Sequence, residues 1–586
     1  MPSARSVLLA SLSLASLAYC KNSTYTNPIL PGFHPDPSCI SVAEAPYNFT
    51  FFCASSSFSV FPGIPIHASK DLVNWKLVSN ALSRPEQLPD LAITNKSTSG
   101  IWAPALRYHE GTFFILTTLV FDDQPQTNFS RWDNFFLTST DPFDSSSWSD
   151  PIHFNFTGYD TSPFWDDDGT TYVTGSHPWE VQPGINQAPI NLTTGEVGAI
   201  VSVWNGTGGE APEGPHIYQR DGWYYLMIAE GGTGLNHEED IARSRDINGP
   251  YTPNPANPMV TQSNTSSYFQ TVGHADLFQD ARGQWWGVAL STRSGPEYLV
   301  YPMGRETVLA PVTWDKGGWP VWTNVSGYMN GWSLPPRQIV EQGEGPLITA
   351  PDSIDLAPGT GLPPQLVHWR IPIADNYVVS PPGHENELQL TSSVLNLTGY
   401  DGNYAGPAGQ TFLGRRQVDT FFTFSVSIDY SALSNLEDEA GVSIFLVQNH
   451  HFDLGVVMLP GTTTAAASYD NASASDPETL TPHLRFRGIS YLPTPPEVVV
   501  PVNETWLGQP LTMEIKAFNF THYALSAGPA QRQHLMQTVG YAPAADLSFG
   551  FTGTLVGVYA TTNGRNGSTK AWVSDWTYVG QGQVRT

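Results

Sequence analysis

Five segments of the chain open in the same way, at intervals of 53 to 66 residues: Asp36, Trp102, Asp160, Glu213 and His274 each precede a short apolar run. The last four overlay without gaps. Leu106, Phe164, Ile217 and Phe278 stand four residues on, Gly111, Gly169, Gly222 and Gly283 nine on, and Phe114, Tyr172, Tyr225 and Trp286 twelve on. In the first segment Ile40 holds the four-residue position, and a longer turn over 42–48 leads into Phe49, Phe51 and Phe52. A repeat of this length means one supersecondary unit used several times. A glycine among polar residues, between two apolar runs, reads as strand, turn, strand. Small antiparallel sheets repeated radially make a propeller, which leaves few exposed strand edges. The five openings then surround one central channel, and three of them are carboxylates.

A chain of 586 residues is too long for one core. The repeats place a five-bladed propeller over 27–335. A passage rich in proline follows (Pro335, Pro336, Pro346, Pro351, Pro358, Pro363, Pro364), and 336–352 reads as a linker. From 353 to 586 the five-fold pattern is gone. Alternating runs over 421–430, 442–447, 498–502, 511–517 and 547–559 predict a half-buried antiparallel two-sheet sandwich. The predicted class is all-β.

Net charge is −27 with only 13% charged residues, so the surface is acidic but mostly neutral and polar. No basic stripe suits nucleic acid, whereas a neutral polymer is compatible. Arg5 ahead of the apolar stretch 7–18, with small residues at Ala15, Ala18 and Cys20, reads as a signal peptide over 1–20 and predicts export. That stretch is too short to span a bilayer, and no later one is longer, so no membrane is expected. Fourteen Asn-x-Ser/Thr sequons agree with export. Cys39 and Cys53 flank the first proposed turn and are placed to face each other, as a disulfide or as two buried thiols. No zinc-ligand spacing occurs.

Asp36 sits between Pro35 and Pro37, which restrict the backbone around it. Asp160 and Glu213 share its phase in the repeat. Taken singly, each would be an ordinary turn residue; a common phase is what catalysts facing one channel would show. Converging carboxylates suit glycoside hydrolysis, in which one carboxylic acid protonates the leaving oxygen and a carboxylate activates water or attacks. A third carboxylate nearby raises the acid's pKa. The run Asp166-Asp167-Asp168 before Gly169 reads as a solvated hairpin turn, and Glu238-Glu239-Asp240 beside His237 as a solvated acidic loop rather than a cation site.

His34-Pro35-Asp36-Pro37-Ser38, Ile101-Trp102-Ala103-Pro104, Gly158-Tyr159-Asp160, Glu213-Gly214-Pro215-His216 and Gly304-Arg305-Glu306-Thr307 together resemble glycoside hydrolase family 43. The resemblance spans the repeats, and the C-terminal part is similar to the concanavalin-like sandwich of the β-xylosidase branch. It implies a five-bladed propeller that inverts anomeric configuration, with Asp36 as general base, Glu213 as general acid, and Asp160 orienting the acid and tuning its pKa. It also implies apolar pocket walls at Phe58 and Trp102 and polar pocket positions at His274 and Arg305. No cofactor is required, although the resemblance allows a structural calcium on the propeller axis near His274. The expected activity is exo-acting release of terminal β-D-xylosyl or α-L-arabinofuranosyl units from xylo-oligosaccharides or arabinoxylan, with the sandwich narrowing the pocket entrance. Arabinan hydrolysis is the nearer alternative. A non-catalytic carbohydrate-binding protein is the alternative from another class, and the presence of all three carboxylates argues against it.

Overall fold

The computed structural model describes residues 23–354, 356–400, 402, 409–461, 463 and 479–586. The expected signal peptide and the sequons at Asn22 and Asn471 lie outside the described residues.

Five antiparallel sheets follow one another along the first half of the chain. Their first strands begin at Ser38, Gly100, Tyr159, Glu213 and Phe269, and each of these strands packs against the first strand of the next sheet, with the fifth returning to the first. The ring is closed from both ends: Ser23–Thr26 pairs with Tyr328–Trp332, and the Asn27 side chain donates to the Leu309 and Ser326 carbonyls at 3.0 and 3.1 Å. Strands such as Thr112–Val120 are runs of β-branched and aromatic residues, buried on both faces once neighbouring sheets stack on them. Cys39 and Cys53 are direct cross-strand partners in the first sheet and are joined as a disulfide, with α-carbons 4.1 Å apart.

The repeat is real, but its register differs from the gapless overlay. The first strands of sheets two to five lose register after Trp102, Tyr159, Glu213 and Gly273. The residue after each of these has a left-handed backbone: Ala103, Asp160, Gly214 and His274, with φ of 37°, 53°, 58° and 50°. Asp36, just ahead of the first strand, repeats it with φ 53°. The equivalent set is therefore Asp36, Ala103, Asp160, Gly214 and His274, while Trp102 and Glu213 stand one residue earlier. The cause is the hairpin. Sheets two and four turn through two residues, 110–111 and 221–222, all with positive φ. Sheets three and five turn through five, 166–170 and 280–284, so an overlay anchored on the turn glycine slips by one.

The second half forms two sheets with one core between them. One sheet includes Lys570–Gly582, Phe421–Asp429, Leu511–Ala517 and His522–Pro529 as adjacent strands, and the other Thr411–Arg416, Leu555–Thr561, Glu439–Val447 and His450–Pro460. The alternating run expected over 547–559 is a strand only from Leu555 to Thr561. A single 3-10 turn, Ala544–Leu547, precedes it, and the intervening loop leaves the sandwich to dock on the propeller. The two halves are stitched together. Val60–Phe61 pairs with His368–Trp369, Phe58 and Val60 pack into the sandwich core, and Glu344 and Gly345 of the connecting passage bond to Val78 and Leu77 of the first sheet. Gly304 lies so close to the docked loop that a β-carbon there would meet the Thr552 carbonyl oxygen at 2.2 Å.

Candidate active site

Asp36, Phe58, Trp102, Asp160, Glu213, His274 and Arg305 line one pocket of about 330 Å³ on the propeller axis, together with Thr233 and Phe551. All seven residues picked from the sequence converge there. Bulges are how a strand re-aims a side chain, and the left-handed residues place Asp36, Asp160 and His274 around the channel.

The three carboxylates have different surroundings. Asp36 is 5% exposed. Its Oδ1 accepts a hydrogen bond from Arg305 Nη1 at 2.9 Å and its Oδ2 one from Ser56 Oγ at 2.6 Å, while His274 Nδ1 lies 3.8 Å away. Burial alone would push its pKa up, but Arg305, His274 and the Ser56 hydroxyl outweigh burial and hold the carboxyl below its ordinary value. Asp36 is therefore ionised at neutral pH. Glu213, at the start of its strand, is pushed up to about 7 by burial and by the Asp36 charge. Its Oε2 faces the Tyr159 hydroxyl at 3.4 Å. Asp160 is raised well above the usual range by burial, Glu213 and Asp36, and its Oδ2 accepts the Gly214 amide at 3.1 Å. A carboxylate beside two carboxyls that hold protons is the arrangement acid–base chemistry needs.

The walls complete the pocket. Phe58 and Trp102 lie 6.1 Å apart, and Phe551 packs on both, at 5.8 and 6.0 Å. The Arg305 guanidinium lies over the rings of Phe58 and Phe551, donates to the Phe551 carbonyl at 3.1 Å and reaches Thr233 Oγ1 at 3.1 Å. Phe551, carried by the loop that leaves the sandwich, thus makes part of the propeller's pocket. Nothing in the sequence signals Phe551, because its loop lies in a different domain; Thr233 follows the pair Gly231-Gly232, the only local hint.

The acidic run Glu238-Glu239-Asp240 is not a solvated loop. It begins the strand Glu238–Ser244, and Glu239 and Asp240 are buried. Glu239 accepts the Ala275 amide at 3.0 Å, which fixes the residue after His274. Asp240 lies beside Glu230, and burial with that neighbour raises it to about 8. Glu230 accepts the amides of Thr207 and Gly209 at 2.8 and 3.0 Å, holding the loop that leads to Glu213. The run Asp166-Asp167-Asp168 is the hairpin turn expected of it.

Below the pocket the axis is occupied by a cation of the chain itself. Arg107 pairs with Asp276 at 2.7 Å, and its Nη2 meets His216 Nδ1 at 2.8 Å; Ser38 and Tyr218 donate to the same carboxylate. Calcium takes six to eight oxygen ligands. The groups around this point are a guanidinium, two imidazoles and a carboxylate already neutralised, and they do not fit that ion. Among the described residues no group of three or more potential ligands is set for a metal.

Comparison with known proteins agrees with this geometry. The family model described as glycosyl hydrolases family 43 matches residues 25–320. The chain belongs to glycoside hydrolase family 43. A second model, the β-xylosidase C-terminal concanavalin A-like domain, matches residues 359–579 of this family-43 glycosidase. A non-reducing end α-L-arabinofuranosidase of Bacteroides ovatus is 32% identical over 567 residues, covering 95% of both chains. A xylosidase/arabinosidase of Butyrivibrio fibrisolvens is 31% identical over 76% of this chain and 85% of its own. The solved structure described as Bacteroides ovatus xyloglucan PUL GH43B superposes with a TM-score of 0.78 at 31% identity, covering 95% of this chain and 99% of that one. A xylan β-1,4-xylosidase structure from Bacillus halodurans does so at 0.76 and 26%, covering 94% and 99%.

Proposed function

We propose that this family-43 glycosidase is an inverting, exo-acting enzyme that releases terminal β-D-xylosyl or α-L-arabinofuranosyl units, with Asp36 as general base, Glu213 as general acid and Asp160 as the carboxyl that orients the acid and tunes its pKa, its Oδ2 holding the Gly214 amide next to Glu213. The observation that carries this reading is the split in ionisation within one pocket: Asp36 is held charged by Arg305, and Glu213 is lifted to about 7. Asp36 removes a proton from water, whose oxygen attacks the anomeric carbon from the face opposite the leaving group. Glu213 delivers its proton to the departing oxygen as that bond breaks. Each carboxyl then exchanges a proton with solvent, Asp36 losing one and Glu213 gaining one. The step moves protons only among water, Asp36, Glu213 and the leaving oxygen, with Arg305 as the positive charge beside the base. Phe551 narrows the pocket over the Phe58 and Trp102 rings, which suits a terminal sugar rather than an internal one. Relatives named as arabinofuranosidase and as xylosidase/arabinosidase support both pentoses as substrates.

We also propose that the enzyme is exported and glycosylated. Of the twelve described sequon asparagines none is buried.

The test is kcat/KM on aryl β-D-xyloside, aryl α-L-arabinofuranoside and arabinoxylan. Turnover of at least one pentoside with release of monosaccharide is expected; long internal fragments from the polymer, or no turnover of either pentoside, would overturn the reading.

A further inference from the structure

A second, partly open pocket lies where propeller and sandwich meet, and it shares no lining residue with the catalytic pocket. Its polar walls are His34 and His67 from the propeller, Asp352, Gln365, and the adjacent arginines Arg415 and Arg416 at the end of a sandwich strand. The remainder is largely apolar, contributed by residues such as Leu77, Leu347 and Val418.

The charges in this space do not cancel. Arg415 is spent: it pairs with Asp352 at 2.9 Å and lies 3.8 Å over the Tyr578 ring. Asp352 is the only carboxylate lining the space. Arg416 is 8% exposed and, among the described residues, has no carboxylate within ion-pair distance. Its Nε donates to the Phe33 carbonyl at 3.0 Å, its guanidinium lies 5.4 Å from the Phe33 ring, and its Nη2 has no hydrogen-bond partner. Burial, with Arg415 beside it, pulls its pKa down to about 10, which leaves it charged at neutral pH. The two imidazoles meet edge to face at 4.8 Å. His34 Nδ1 is taken by the Pro31 carbonyl at 3.1 Å, whereas His67, 3% exposed, leaves its Nδ1 without a partner. Burial and the Arg416 charge keep both rings neutral. A buried cation without a counter-charge is costly, and so is an unpaired donor beside it. One negative charge held by both would satisfy the two together.

We propose that this interdomain space is an anion site, taking one small monovalent anion (a halide or a short carboxylate such as acetate) between the Arg416 guanidinium and the Nδ1–H of His67. One uncompensated charge calls for one negative charge, and the apolar remainder disfavours a polyanion. The site ties Arg416 of the sandwich to His67 of the first sheet, and Phe33 and His34 precede Asp36 by only a few residues. Its occupancy therefore braces the seam that carries the general base.

The test is thermal unfolding of the full chain at pH 7 and fixed ionic strength. A bulky sulfonate buffer anion is exchanged stepwise for chloride, bromide or acetate. A ligand that binds only the folded state raises Tm, linearly in the logarithm of its concentration once sites are filled. That rise is expected for wild type and should vanish in Arg416→Met. If Arg416→Met does not fold, His67→Leu keeps the guanidinium and should raise the half-saturating concentration about tenfold, the loss of roughly one hydrogen bond. A bromide-soaked crystal should show its anomalous peak beside Arg416. A response to the halides alone assigns a halide, and a response to acetate as well assigns small anions in general. No ion-specific rise in wild type, or an equal rise in both variants, overturns the proposal.

Discussion

At the residue scale, Asp36 and Glu213 have opposite surroundings, and their pH behaviour follows. Asp36 is depressed by Arg305, so activity should persist down to below the ordinary carboxylate range; Glu213 is raised to about 7, so activity should fall as pH passes about 7 and the acid loses its proton. Arg305→Met removes the largest of the interactions that together outweigh burial at Asp36. The Asp36 pKa should then rise and the acidic limb of the kcat/KM profile move toward neutral pH, while the alkaline limb stays near its wild-type position. An unmoved acidic limb would mean that Arg305 does not set the ionisation of Asp36. Glu213→Ala should slow a natural xylobioside or arabinoside by about 10²–10⁴-fold, the usual worth of a positioned general acid. An aryl glycoside with a stable leaving anion should lose much less. Equal losses on both substrates would remove Glu213 from the acid's role. These residues were legible in the sequence because each stands in a short motif beside proline or glycine. Glu239 was not. Three acids in a row read as solvated, and only the Ala275 amide opposite makes Glu239 a buried support for the His274 segment.

At the element scale, the recurring device is a bulge in the first strand of a sheet, with one left-handed residue. At Gly214 that residue has φ 58°, and a β-carbon would meet His274 Nε2 at 2.9 Å. The glycine lets the Glu213 strand close on His274 while its amide binds Asp160. Gly214→Ala should therefore cost about 1–2 kcal/mol of stability from the backbone alone. It should also lower kcat/KM by about tenfold or more, because His274 must move away from Asp36. A Tm drop with unchanged kcat/KM would show that His274 placement is immaterial. The repeat was legible in the apolar spacing and the turn glycines. Its register was not, since hairpins of two and five residues both place a glycine three residues before an aromatic, as Gly111 before Phe114 and Gly169 before Tyr172. The stretch 548–554 misled for a different reason: it alternates like a strand, yet its partners lie on the propeller.

At the scale of the whole molecule, the propeller supplies the carboxylates from three different sheets, and the sandwich supplies the Phe551 wall above them. The two domains and their order could be read from the loss of the repeat after the proline-rich passage. That the second domain completes the first one's pocket could not, because nothing local marks Phe551 as a pocket residue. With Asp36 just ahead of the first sheet and Glu213 on the fourth, the proposed base and acid stand on separate elements around one channel, and on that proposal water and leaving group are handled by different residues. Inversion is the chemical signature of that division. The direct measurement is proton NMR of the sugar released in the first minutes of turnover by wild-type enzyme, before mutarotation. A first-formed anomer opposite in configuration to the substrate is the expected result; a product that keeps the substrate's configuration would contradict the assignment of Asp36 as the base.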